Sequence, residues 1–231
     1  MHAIEKFLFE IYPYVCLAVF LVGSLVRFDR EQYSWRSGSS QMLRGRSLRW
    51  GSNLFHVGIL AIFAGHMVGL LTPHGVYTSL GLGVELKQMI AIVAGGVFGV
   101  VCWIGLTILM HRRLTDSRIR ATSSTMDIVV LLLLWIQLTL GLVTIPYSLQ
   151  HPDGSVMLVL SEWVQHVVTF RGGDAEMLAG VAWPYRLHLV LGMTLFLVFP
   201  FSRLVHIWSA PVGYVFRSYQ VVRRRGGARH V

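Results

Sequence analysis

Five stretches of the chain are apolar over about 20 residues or more and carry few charges: residues 4–26, 52–72, 87–110, 126–146 and 183–208. As a helix rising about 1.5 Å per residue, each is long enough to cross roughly 30 Å of hydrocarbon. None alternates apolar and polar residues as a membrane barrel strand does. The sequence therefore predicts an all-α membrane protein, a five-transmembrane-helix bundle forming one integral membrane domain over residues 1–231. Composition agrees, with 54% of the 231 residues hydrophobic and 13% charged, where soluble domains carry about 25% charge. A sixth apolar stretch, 155–170, is short and interrupted by Glu162, Gln165 and His166, so an interfacial helix is predicted there. Pro13, Pro146, Pro184 and Pro200 lie near span ends or mark bends, which membrane helices tolerate.

Basic residues orient the bundle. Arg27, Arg30, Arg36, Arg44, Arg46 and Arg49 fall between the first two spans, and Arg112, Arg113, Arg118 and Arg120 between the third and fourth. Arg203, Arg217, Arg223, Arg224, Arg225 and Arg229 follow on the same side, leaving Lys6, Lys87, Arg171 and Arg186 for the other. The positive-inside rule then predicts an N-terminus outside and a C-terminus in the cytoplasm, with a basic cytoplasmic tail at 209–231. The N-terminal MHAIEKFLFE has no basic n-region, so the first span reads as an anchor and not a removed signal peptide. Topology already explains the net charge of +9, which gives no argument for nucleic acid. Cys16 and Cys102 form no C-x-x-C-H, disulfide or zinc pattern and read as small buried hydrophobes.

Four of the ten histidines lie inside spans: His56 and His66 on the second, His188 and His206 on the fifth. Because the two spans run in opposite directions, the residues sort by depth into an outer pair, His66 with His188, and an inner pair, His56 with His206. Ionisable groups at this depth are costly and usually functional. Two stacked sites of facing imidazoles fit iron ligation by haem, and without C-x-x-C-H the haem would be non-covalent, b-type. On ideal helices the spacings disagree: about 15 Å from His56 to His66 and about 27 Å from His188 to His206. Gly58, Gly65, Gly69, Gly95, Gly96 and Gly99 fit either a bulky ligand or close helix packing. Arg203 reads either as a partner for a haem propionate or as a marker of the cytoplasmic boundary.

SNLFHVGILAIFAGH at 52–66, LLTPH after it, FRGG at 170–173 and YRLHLVLGMTLFLVFPFSRLVHIWSAPVGY at 185–214 resemble the gamma subunit of bacterial respiratory nitrate reductase. IYPY, QYSWR, SSQML and RIRATSS resemble the same family, and the likeness covers essentially the whole chain. The resemblance implies a dihaem cytochrome b subunit of the bacterial inner membrane. It implies that His66 and His188 ligate the outer haem and His56 and His206 the inner one. It further implies quinol oxidation near the outer haem, at a pocket including Lys87, Gly65 and His66, with protons released outside. Electrons would pass to an iron–sulfur subunit and then to a molybdenum-containing catalytic subunit in the cytoplasm, where nitrate is reduced. No catalytic residue for nitrate itself is expected in this chain. The inner loops and basic tail are the expected docking surface, their alternative partner being anionic membrane lipid.

Two other classes are weighed against this. A transporter would show inverted repeats or broken helices, and no internal repeat is visible. A haem-free membrane anchor has no use for depth-paired histidines. A cytochrome b anchor of another quinone-linked oxidoreductase is the alternative within the same chemistry.

Overall fold

The computed structural model describes residues 3–35, 43, 45–172, 175–209 and 216–218. Arg36, Arg44 and nearly all of the basic tail lie outside the described residues. Among the described residues, five helices are long and apolar enough to span a membrane: α1, Ala3–Arg30; α2, Gly45–Leu71; α4, Val84–Thr115; α6, Thr125–Leu149; and α8, Trp183–Phe201, whose last turn is 3-10. Shorter helices lie between them: α3, His74–Ser79; α5, Ser117–Ala121; and α7, Ser155–Val168. Among the described residues there is no strand.

Four of the five spanning helices outrun the apolar stretches that predict them, because boundaries are set by caps and breakers. The fourth begins at a capping box: the Ser124 hydroxyl accepts from the Asp127 N–H, and the Asp127 carboxylate from the Ser124 N–H. These contacts satisfy donors that a helix start leaves open. Asp116 caps α5 in a similar way, accepting from Arg118 and Ile119. In α1, Pro13 supplies no N–H, and the turn before it widens into a π-turn in which Tyr12 N–H bonds Phe7 carbonyl.

Helix α2 packs on α4, α4 on α6, α6 on α8 and α8 on α1, so the spans form an arc in the order α2, α4, α6, α8, α1. The α2–α4 contact is made through glycine. A Cβ at Gly58 would lie 2.5 Å from Cys102 Cβ and 2.7 Å from its backbone nitrogen. Gly58→Ala should therefore force the helices apart and cost about 1–3 kcal/mol, read as a lower Tm in detergent. Gly75→Ala, where a Cβ meets nothing within 4 Å, should leave Tm unchanged.

One end of the bundle is closed by α7, which packs on α2 and on the 3-10 turn Ala175–Leu178. Trp163 sits edge-on to Phe9 at 6.3 Å, within a core that includes Leu178, Val181 and Tyr185. Gln165 ties α7 to α2 by donating to the carbonyls of Leu70 and Thr72. Trp163 and Ser161 are buried; the face of α7 that carries them rests on protein.

The last apolar stretch departs from expectation. Its α-helix ends at Val198, a 3-10 turn covers Phe199–Phe201, and Ser202 is extended at φ −121°, ψ 177°. A second 3-10 segment, Arg203–Ser209, follows. Pro200 has no N–H to continue the ladder. His206 therefore lies off the α8 helix, and the ideal spacing of about 27 Å between His188 and His206 does not apply.

Candidate functional site

His66 on α2 and His188 on α8 come together although α4 and α6 separate their helices in the packing order. Their ring centroids are 6.3 Å apart with planes inclined by 38°. His188 also rests on α6. A Cβ at Gly141 would lie 3.0 Å from its Cε1, so the ring occupies space that only glycine leaves. Its Nδ1 donates to the Gln137 carbonyl at 3.1 Å, and the Gln137 side-chain amide lies 3.3 Å from its Nε2.

His56 and His206 make no ring contact with each other among the described residues. His56 belongs to the arginine-rich end: its neighbour Phe55 accepts from Cys102 Sγ, and the adjoining turn of α2 packs on Gly105. His206 lies at that end too, three residues beyond Arg203, which pairs with Asp127 at the start of α6. The structure thus brings one sequence pair into contact and puts the members of the other at a common end.

The four imidazoles share one arrangement. His56 Nδ1 donates to the Ser52 carbonyl at 2.7 Å, His66 Nδ1 to Ile62 at 2.9 Å, His188 Nδ1 to Gln137 at 3.1 Å, and His206 Nδ1 to Arg203 at 2.6 Å. A carbonyl can only accept, so each ring carries its proton on Nδ1 and its lone pair on Nε2, which at His188 faces the Gln137 amide. This is the orientation that metal-bound histidines are given by their outer-shell partners. Among the described residues no group of three or more His, Cys, Asp or Glu could hold a bare metal ion. The imidazoles that face each other are the pair His66 and His188.

The glycines divide into two kinds. Gly58 and Gly99 are packing residues, the latter with Leu142 Cδ2 only 2.7 Å from a built Cβ. Gly96 meets Ile145 at 3.6 Å, whereas Gly65, Gly69 and Gly95 meet nothing within 4 Å. Among the described residues, Gly65-x-x-x-Gly69 is thus not a helix-packing stripe. It flanks His66 with uncovered backbone.

At the end closed by α7, Lys87 Nζ is buried with no hydrogen-bond partner among the described residues and lies 3.8 Å above the centre of the Tyr77 ring. Tyr77 is itself buried, and His74 meets it edge-on at 5.1 Å. Burial pushes the Tyr77 phenol above its ordinary value of 10, so the ring meets the ammonium as a neutral π-face. An ammonium held only by a ring retains unused donors.

Residues that the sequence does not single out complete these settings. Gln137 is a lone amide in an apolar run, a visible signal. Tyr77, Arg27 and Asp127 carry none, because their partners are distant in the chain.

The geometry coincides with similarity to known proteins. The family described as "Nitrate reductase gamma subunit" matches residues 5–225. The chain is 56% identical over 225 residues to the respiratory nitrate reductase 1 gamma chain of Escherichia coli (strain K12), covering 97% of this chain and 100% of that one. It is 57% identical over 222 residues to the respiratory nitrate reductase 2 gamma chain of the same organism, covering 96% and 98%. To the nitrate reductase gamma chain of Bacillus subtilis (strain 168) it is 38% identical over 220 residues, covering 95% and 98%.

Proposed function

The chain belongs to the nitrate reductase gamma subunit family, and from this we propose that it is the quinol-oxidising, dihaem cytochrome b subunit of that enzyme. It is the membrane subunit of a respiratory nitrate reductase, a multi-pass protein of the bacterial inner membrane whose partners are the other subunits of the complex. In this reading His66 and His188 hold one b haem, and His56 and His206 hold the other. The observation that carries it is the common tautomer: four histidines, each with Nδ1 bound to a carbonyl and its lone pair left on Nε2, which at His188 accepts from the Gln137 amide that a ligated iron would displace.

When bound, the haems supply one-electron carriers between quinol and the cytoplasmic subunits. The chain supplies the rest. Its carbonyls fix the imidazole planes, and Gly141 leaves room for His188. Lys87, with its ammonium lacking an acceptor, meets a quinol oxygen near Gly65 and His66. With the N-terminus outside and the C-terminus in the cytoplasm, quinol protons are released outside while electrons move inward. Each charge so separated stores about 2.3 kcal/mol per ~100 mV. The receiving partners are an iron–sulfur subunit and, beyond it, the molybdenum-containing subunit.

A quinol analogue added to membranes containing the assembled complex should reduce both b haems, and nitrate should then reoxidise them. Haem that dithionite reduces but quinol does not would overturn the quinol-oxidising role.

A further inference from the structure

Beyond Val198 the α-helical ladder gives way to short 3-10 turns, and the segment that follows carries His206. Ser202 is extended between two 3-10 turns, so the α-helical i→i−4 ladder does not run through the break. At membrane depth backbone carbonyls need internal partners. Arg27, near the end of α1, provides them. Its Nη1 donates to the Pro200 carbonyl at 2.6 Å and to the Ser202 carbonyl at 2.8 Å, while its Nη2 donates to the Ser34 carbonyl at 2.9 Å. Gly23, one turn earlier, lets Pro200 approach, since a Cβ there would lie 2.8 Å from Pro200 Cγ.

The other side of the segment is held from α6. Arg203 Nε donates to Asp127 Oδ1 at 2.7 Å, and Arg113 of α4 lies 3.4 Å from Asp127 Oδ2. Asp127 and Arg113 are largely buried at this end. Arg203 in turn offers the carbonyl that receives His206 Nδ1 at 2.6 Å. Farther along, Trp35 Nε1 donates to Ser209 Oγ at 2.6 Å, and Trp208 stacks on Phe20.

The geometry points to Arg27 and Asp127 as positioning residues for His206, an inference that rests on the haem reading above. They grip the segment from opposite sides. Arg27 fixes the break, and Asp127 fixes the residue whose carbonyl sets the imidazole. His66 and His56 need no such clamp, because each is fixed by a carbonyl four residues earlier in a continuous helix. The two haems should therefore respond unequally to loss of these side chains.

The test uses membranes holding the whole complex, with haem content, ferric EPR signals and midpoint potentials measured for each haem. His206→Ala first assigns the signal that depends on His206. Arg27→Ala and Asp127→Asn are expected to shift that signal and its potential, or to weaken retention of that haem about 10–100-fold, leaving the haem of His66 and His188 unaltered. Arg27→Lys, which keeps the charge but not the fork of donors, should restore the signal in part. If Arg27→Ala fails to assemble, Asp127→Asn and Arg27→Lys carry the test. Both haems unchanged in these variants, or both altered equally, would overturn the positioning role. His206→Ala retaining two haems would instead overturn the ligand assignment, and the inference would fall with it.

Discussion

His66→Ala and His188→Ala are each expected to remove the same haem, and His56→Ala and His206→Ala to remove the other. The reason is the single ring nitrogen, Nε2, that each ring keeps as an acceptor. Nδ1 is committed to a carbonyl in all four cases, so the Nε2 lone pair has no substitute once the ring is gone. Quinol-driven nitrate reduction should fall about 100-fold or more, beyond the ordinary effect of losing an outer-shell partner. Nitrate reduction driven by an artificial donor that reaches the cytoplasmic subunits directly should persist. A pattern in which His56 and His66, on one helix, remove the same haem would contradict the depth pairing.

Lys87→Ala is expected to slow quinol oxidation about 10–100-fold while leaving both haem spectra unchanged. The ammonium is buried, and the Tyr77 ring at 3.8 Å is what holds it. A desolvated cation–π contact contributes about 2 kcal/mol, enough to aim the side chain but not to use its N–H donors. Tyr77→Phe keeps the ring and should preserve activity. Tyr77→Leu removes the π-face and should approach the Lys87→Ala rate. Because burial raises the Tyr77 phenol above 10, it stays protonated at lower pH, and no step in the pH–rate profile near neutrality should trace to it. Steady-state quinol oxidation in membranes, compared at equal haem content, measures all three; an unchanged rate in Lys87→Ala would remove the lysine from the quinol site.

The bundle was legible because lipid leaves few options: a long uncharged run must satisfy its backbone internally, and a helix does so. Helix ends were not legible from hydropathy. α2 begins at Gly45 and α4 runs to Thr115, since arginines can extend toward the interface from a continuing helix. The pairing of His66 with His188 needed only antiparallel direction and depth. The placement of His206 needed more, because the break at Pro200–Ser202 depends on Arg27, 173 residues away from Pro200 in the chain. Arg203, read as either a propionate partner or a boundary residue, forms an ion pair with Asp127. A one-dimensional pattern does not show which cation meets which carboxylate. Glycine was ambiguous for the same reason, as Gly58 and Gly65 look alike in sequence and only the neighbour across the groove distinguishes them.

The most direct measurement is haem stoichiometry on the purified complex, by pyridine haemochrome and a dithionite-reduced minus oxidised spectrum. Two non-covalent b haems per copy of this chain are expected, each lost separately in His66→Ala and His56→Ala. A correctly assembled complex in which this chain carries no haem, or one haem that both variants remove together, would contradict the paired-ligand reading.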